Sequence, residues 1–306
     1  MASVKLPIVC AINNAYALPL VVMLTSLKEH LRAPYELKLY LIHQAVSDSV
    51  LAAISRVVDL HSIVPDANLV ANIPRHNHYP PEAFFPLLLP ELLPEELDRV
   101  LFLDADLLVL DDLAHLWETS LGDCTLGATQ DAAIPLCRSP RGVKNCGDWG
   151  ISNEAVYFNT GVMLIGLAEW RKRDVSRRVY GYLRSVGERV DYIHQEAMNA
   201  VLWNDWLPLE SRWNMLGSLA GRPFGKTRDG GCQNPGIVHF AGRFKPWRAP
   251  IGGPFNCQYS AYLSKAEQLV PAVQSGFTDK LLSLYDRNLR NHMYLCERAL
   301  WNRGII

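Results

Sequence analysis

The sequence predicts an α/β protein: a parallel-type sheet flanked by helices. Three observations carry this. Apolar strand-like runs alternate with helical patterns from the first residues onward, the order that builds parallel sheets. The run "RVLFLDADLLVL" at 99–110 reads as a buried strand interrupted by two acids. The chain has 306 residues, of which 49% are hydrophobic and 20% charged, enough for one large globular unit with a real core.

The elements follow in order. "VKLPIVCAI" at 4–12 reads as a first strand and not as a signal peptide. "ALPLVVMLTSLKEHL" at 17–31 has helical apolar spacing, "ELKLYLIH" at 36–43 is a second strand, and "SDSVLAAISRVVDL" at 47–60 is a second helix. "PPEAFFPLLLPELLPEEL" at 80–97 is proline-rich, so a short, broken helical segment is expected there. The Asp-containing strand comes next. "CTLGATQ" at 124–130 and "AVYFNTGVMLIGL" at 155–167 read as strands, the second with a glycine turn inside. Between them, "CRSPRGVKNCGDWGISN" at 137–153 is polar and glycine-containing, either a mobile loop over a site or an ordinary surface loop. "EWRKRDVSRRVYGYLRSV" at 169–186 is an amphipathic basic helix and "HQEAMNAVLW" at 194–203 another. After a Gly-rich loop at 218–236, "IVHFAG" at 237–242 is a last strand, and the chain from about 255 looks helical.

Composition narrows the function. A formal net charge of -1 gives no bulk attraction to nucleic acid. The longest apolar stretch, "ALPLVVML", is too short to span a membrane. The seven cysteines (Cys10, Cys124, Cys137, Cys146, Cys232, Cys257 and Cys296) are odd in number and widely spaced, without a C-x-x-C pair. Scattered reduced thiols in a cytoplasmic protein are expected. No G-x-G-x-x-G or G-x-x-x-x-G-K follows the first strand, which disfavours nicotinamide dehydrogenases and P-loop enzymes.

The acids at Asp104 and Asp106 demand an explanation. Two residues apart on a strand they share a face, and buried carboxylates are costly unless paired. Two readings stand: a solvated turn after Leu103, or a strand end where both acids share a divalent cation. Strand ends are where open α/β sheets bind ligands, and hard cations such as Mn²⁺ or Mg²⁺ take carboxylate oxygens while leaving positions open for phosphates. A further ligand candidate, His239, ends the strand in "IVHFAGRFKPW"; Gly242 would admit close backbone approach, and Lys245 suits phosphate. An imidazole beside two carboxylates favours Mn²⁺ over Mg²⁺.

Four segments in this order, "LFLDADLLVLDDLAHLWETSLGD", "YFNTGVMLIGLAEWR", "HQEAMNAVL" and "HFAGRFKPW", resemble glycosyltransferase family 8, over roughly residues 6 to 250. The resemblance implies a GT-A fold, a Rossmann-like mixed sheet flanked by helices, over residues 1–254, with a helical C-terminal extension over 255–306. It implies a UDP-sugar donor, Mn²⁺ with Mg²⁺ as the alternative, and transfer of a hexose to a glycan, glycolipid or other hydroxyl acceptor with retention at the anomeric carbon. By the same resemblance Asp104, Asp106 and His239 match metal ligands. Gly242 and Lys245 match diphosphate contacts, and Tyr16 matches a tyrosine stacked on uracil. Asn159 faces the transferred sugar, Gln195 lies near the reactive face, and Asp131 lies at the sugar or acceptor edge. His78 sits where galactosyltransferases of the family carry a substrate-facing histidine.

This chain also departs from the family pattern. Asn13, in "NNAY", stands where the family has an acid; it can pair with a base edge but brings no charge. Pro86 stands where an Arg or Lys is common, and His194 replaces a sugar-binding Asp. The lost cation and the lost anion leave local charge balanced, which puts donor-sugar identity in question. With no dedicated base in sight, front-face attack is expected, with Gln195 supporting positive character on the sugar through its carbonyl dipole. Two other classes use overlapping features: a nucleotide-sugar-binding protein without transferase activity, and a phosphatase of the haloacid dehalogenase type built on D-x-D. The segment 277–306 mixes Lys280, Arg287, Arg290, Arg298 and Arg303 with apolar residues. It suits either packing on the domain or a partner subunit, or peripheral contact with the inner face of a membrane carrying a lipid-linked acceptor. Oligomeric state stays open.

Overall fold

The computed structural model describes residues 3–71, 73, 81–217, 234–242, 245–248 and 254–270. The first half alternates as the apolar pattern dictates: β1 (Val4–Ala11), α1 (Ala17–His30), β2 (Tyr35–Ile42), α2 (Asp48–Ser55), β3 (Asp59–Ile63) and the short α3 (Ala67–Ala71). A 3₁₀ turn at Pro81–Leu87 and α4 (Leu89–Leu92) form the broken proline-rich segment. There follow β4 (Arg99–Leu103), β5 (Leu107–Val109), α5 (Ala114–Trp117), β6 (Leu126–Gln130) and β7 (Phe158–Gly166). The rest comprises α6 (Leu167–Lys172), α7 (Val175–Val186), α8 (Ile193–Leu202), β8 (Trp206–Pro208), β9 (Met215–Leu216), β10 (Ile237–His239) and α9 (Pro254–Leu269).

Seven strands form a mixed sheet in the order β3-β2-β1-β4-β7-β6-β8, and β5-β10-β9 form a second, small sheet. The first four strands are mutually parallel, while β7 runs antiparallel to both β4 and β6. Strand periodicity builds a core on each face. Leu6, Ile8, Leu101, Leu103, Val162 and Leu164 face α1. Val9, Val100, Phe102, Met163 and Ile165 face the layer that holds α7 and α8. Helix α1 is buried from Ala17 to Leu27 without a polar face, because Tyr259 and Ala266 of α9, with Val270 just after it, cover its outer side. No helix of the described residues is long and apolar enough to cross a membrane.

The structure corrects four local expectations. The run at 99–110 is two strands in two sheets, because the chain leaves the main sheet after Leu103 and re-enters pairing only at Leu107. Strand β7 has no glycine turn; it is continuous through Gly161, with a register shift opposite Ala128/Thr129. The helix expected over 169–186 breaks between α6 and α7, where Asp174 adopts φ 51. The helix expected over 47–60 ends at Ser55, and its last residues turn into the edge strand β3. The segment 137–153 is neither loose nor purely superficial. Cys137, Val143 and Ile151 enter the second core, and Lys144 N donates to Tyr182 Oη (2.9 Å) and to the buried Glu196 carboxylate (3.1 Å).

Candidate active site

The site begins where β4 ends. Asp104 N donates to the Gly161 carbonyl of β7 (2.8 Å), the last tie to the main sheet. A two-residue turn then carries the chain to β5, which pairs antiparallel with β10, setting Leu107 opposite His239. Asp106 is held at this junction by its own carbonyl, which accepts Phe240 N (2.9 Å). The sheet-to-sheet turn therefore brings both acids against the histidine. Its Nε2 lies 3.3 Å from Asp106 Oδ1 and 3.6 Å from Asp104 Oδ2, and one ligand atom from each of the three lies within 4.8 Å of the others. The two sequence readings of the acids merge: they sit in a turn, and the turn is a site.

Glycine makes this approach possible. A Cβ at Gly161 would lie 2.3 Å from His239 Cε1, 2.6 Å from its Nδ1 and 2.9 Å from Asp104 Oδ2. The expected turn glycine is thus a clearance glycine, the second meaning such a residue has inside a strand.

The electrostatics divide the acids. Asp104 keeps 32% of its side-chain surface open, yet the surrounding protein and the adjacent Asp106 hold its carboxyl up at about 6. For Asp106, burial pushes the same way, but the charges and hydrogen bonds of His239 and Lys245 outweigh it and the carboxyl titrates below its ordinary value. Burial opposes protonation of His239, and Asp106 outweighs that too, raising the imidazole. Lys245 is buried; its Nζ bonds Asp106 Oδ2 and the Phe240 carbonyl (2.9 Å), near the rings of Tyr16 (5.9 Å) and Trp247 (5.5 Å).

A second group lies across the cavity. Asp131 follows β6, and its Oδ1 accepts Ala133 N (2.8 Å) and Ile134 N (2.9 Å). Its Oδ2 accepts Asn159 Nδ2 (2.8 Å) and Gln195 Nε2 (3.1 Å). The Gln195 carbonyl is turned to β7, accepting Thr160 N (3.1 Å) and Thr160 Oγ1 (3.3 Å). Both of its lone pairs are engaged, which argues against the carbonyl role expected for it. Asn214, on the chain leading into β9, bridges the groups: His239 Nδ1 meets Asn214 Oδ1 (2.9 Å), and Asn214 Nδ2 donates to Asn159 Oδ1 (2.8 Å).

Two adjoining cavities lie against these groups, with Lys245 and Asn214 behind their walls and not among the lining residues. One, of about 220 Å³, is lined by Asn13, Tyr16, Pro86, Asp104, Asp106 and His194 among others. The other, of about 340 Å³, shares Asp104, Asp106 and His194 and adds Asp131, Asn159, Gln195, His239 and Gly242. Gly242 adopts φ +84, a conformation that favours glycine. Asn13 spends its Oδ1 on Ala15 N (3.1 Å). His194 Nδ1 meets the Ala83 carbonyl (3.0 Å); a carbonyl only accepts, so this nitrogen carries the hydrogen. Burial lowers the ring to about 4, so it is neutral near pH 7. His78 and the basic segment 277–306 lie outside the described residues. Sequence reasoning missed Asn214 and Thr160, and misread Gly161.

Residues 7–250 match the glycosyl transferase family 8 profile. The chain belongs to this family. Among its relatives, general stress protein A of Bacillus subtilis (strain 168) is 28% identical over 275 residues, covering 83% of this chain and 91% of that protein. Probable galacturonosyltransferase-like 6 of Arabidopsis thaliana is 31% identical over 174 residues, 52% of this chain and 48% of that protein. This chain thus spans about half the length of that plant relative. Among solved structures, an active-site mutant of LgtC superimposes with a TM-score of 0.72 at 23% identity, covering 85% of this chain and 96% of LgtC. The galactosyltransferase LgtC in complex with donor and acceptor sugar analogs superimposes with a TM-score of 0.68 at 24% identity, covering 89% and 97%. The fold is GT-A, a mixed sheet flanked by helices with a helical C-terminal region. The phosphatase alternative, which rested on D-x-D alone, falls with the family assignment.

Proposed function

We propose that this family 8 member is a metal-dependent, retaining hexosyltransferase that uses a UDP-sugar. One observation carries the reading: Asp104, Asp106 and His239 converge within 4.8 Å on a cavity whose facing wall holds Asp131, Asn159 and Gln195. Two carboxylates and an imidazole are a donor set suited to Mn²⁺, or to Mg²⁺ with less preference. The Asn214 contact at Nδ1 supports this, since it leaves Nε2 for a ligand. When bound, the cation supplies Lewis-acid stabilisation to the diphosphate leaving group.

The protein's own groups do the rest. Tyr16, with Asn13 at the cavity wall, receives the uracil. Lys245 and the Gly242 backbone take the diphosphate. Asp131, fixed by four N–H donors, supplies negative charge toward the oxocarbenium-like sugar. Asn159 and Gln195 hold it in place and face the sugar with it. The acceptor hydroxyl arrives on the face the diphosphate leaves and gives its proton to the departing phosphate, so retention needs no covalent intermediate. The acceptor is a glycan or lipid-linked glycan. The catalytic unit is residues 1–254, and 255–306 form an extension; helix α9, at the junction of the two, packs on α1. A cytoplasmic protein working at the inner face of a membrane fits a lipid-linked acceptor.

The test is a panel of UDP-galactose, UDP-glucose, UDP-N-acetylglucosamine and UDP-galacturonate, the last suggested by the plant relatives' names. Metal-dependent UDP release supports the proposal. Binding with no release under any acceptor supports the non-catalytic alternative instead.

Two further results are expected. Lys245→Met should weaken UDP binding by about 1.5–3 kcal/mol, the worth of a charge-assisted contact, by calorimetric titration; parent-like affinity removes Lys245 from the diphosphate site. His194 uses its one N–H on Ala83, so a neutral ring offers the sugar only an acceptor. His194→Asp should therefore change the ratios of kcat/KM among donors more than it changes UDP affinity. The parent is expected to favour UDP-glucose over UDP-galactose. Identical donor ratios in both proteins would show that His194 does not read the sugar.

A further inference from the structure

The contacts around Asn214 run in one forced direction. Asn159 Oδ1 accepts the backbone N–H of Gly161 (2.9 Å), so oxygen, not nitrogen, occupies that position. Asn214 reaches the same oxygen (2.8 Å) and must offer its NH₂ there. Its own oxygen therefore faces His239 Nδ1 (2.9 Å), and an amide oxygen only accepts. His239 therefore carries a hydrogen on Nδ1 in either charge state, and Nε2, on the side of Asp104 and Asp106, is the nitrogen left for a cation once its own proton is lost. At the far end, the NH₂ of Asn159 is left for Asp131 Oδ2 (2.8 Å). His239, Asn214, Asn159 and Asp131 are all buried, so water does not substitute for a lost partner without cost.

We infer that Asn214 is a positioning residue that selects the cation-binding tautomer of His239 and, through Asn159, aligns that choice with the orientation of Asp131. The inference rests on the metal-dependent reading for its purpose, but the tautomer is a property of the metal-free protein. Every donor in the chain points toward Asp131, so polarisation of the imidazole from the Nε2 side strengthens each successive hydrogen bond. One residue thus serves both halves of the site.

Two variants separate its two duties. Asn214→Leu removes the acceptor for His239 and the donor for Asn159. Asn214→Asp keeps the acceptor and, presenting only oxygens, loses the donor. In metal-free protein, at a pH above the raised titration of this imidazole, ¹⁵N NMR should show His239 protonated at Nδ1 in the parent and in Asn214→Asp, and a mixed tautomer in Asn214→Leu. Titration with Mn²⁺ alone, read by electron paramagnetic resonance, should show about 10- to 100-fold weaker binding for Asn214→Leu, the usual loss when a metal-bound histidine loses its outer partner. Asn214→Asp should bind Mn²⁺ within a few-fold of the parent yet lose turnover. Its near-isosteric side chain keeps the test open if Asn214→Leu does not fold. Parent-like Mn²⁺ affinity and tautomer in Asn214→Leu would overturn the inference, as would an Asn214→Asp protein that loses Mn²⁺ along with its Nδ1–H. A parent that binds no Mn²⁺ but shows the Nδ1–H tautomer would contradict the metal reading alone.

Discussion

Asp104→Ala is expected to lower metal-dependent sugar transfer roughly 10³-fold while the protein still folds. Asp104 is the more open, pairs with no lysine among the described residues, and is held up at about 6 by its surroundings and by Asp106. Removing it relieves repulsion in the metal-free protein and deletes one of three ligand groups. Several kcal/mol of charge stabilisation at the leaving group depend on that set, and each 1.36 kcal/mol is tenfold in rate. Asp106→Ala should be as inactive but less stable. It strands the buried Lys245 ammonium, and breaking a buried pair from one side costs about 3–5 kcal/mol. Melting both variants without metal, beside UDP-release rates with Mn²⁺, separates the two effects. An Asp104→Ala protein with parent-like, metal-dependent rates would remove the carboxylate from the ligand set.

Gly161→Ala is the second large effect. One methyl would meet His239 Cε1 at 2.3 Å and Nδ1 at 2.6 Å, distances at which something must move. Gly161 lies at the register shift against β6, but on the β4 side its carbonyl accepts Asp104 N (2.8 Å) and Val162 beside it pairs with Leu103, so the imidazole gives way and leaves Asn214. Overpacking of this kind costs about 1–3 kcal/mol of stability. The larger consequence is metal affinity, expected to fall about 100-fold or more as the histidine loses both its place and its outer partner. Gly147, where an added Cβ meets nothing within 4 Å, is the control: Gly147→Ala should leave Mn²⁺ binding unchanged. Undiminished Mn²⁺ binding in Gly161→Ala would show that His239 is not required for the cation.

Much of the frame is legible in the chain because burial writes itself as periodicity. Strands β1, β2 and β7 and helix α1 are long and apolar, and with α8 they lie near their expected bounds. Strand β3 is not legible, since "DLHSI" is an edge strand with three of its five residues exposed and none buried. Strands β8 and β9, three and two residues long, carry no period at all. In the site, Asp104, Asp106 and His239 stand out because polar residues closing apolar runs need a reason. Gly161 signals that something happens in β7, but choosing between a turn and a clearance needs to know what lies opposite. Asn214 gives no signal: its partners His239 and Asn159 are 25 and 55 residues away, and only the folded chain joins them. The orientation of the Gln195 amide is likewise settled by Thr160, a neighbour through the sheet.

The acid–histidine cluster is central because it would carry a cation that the nucleotide needs. The most direct measurement is calorimetric titration of UDP into the protein in Mn²⁺ and in EDTA, with Asp104→Ala alongside. Binding is predicted for the parent in Mn²⁺, and a collapse of that binding both in EDTA and in the variant. Equal UDP affinity in Mn²⁺ and EDTA, or a variant indistinguishable from its parent, would contradict it.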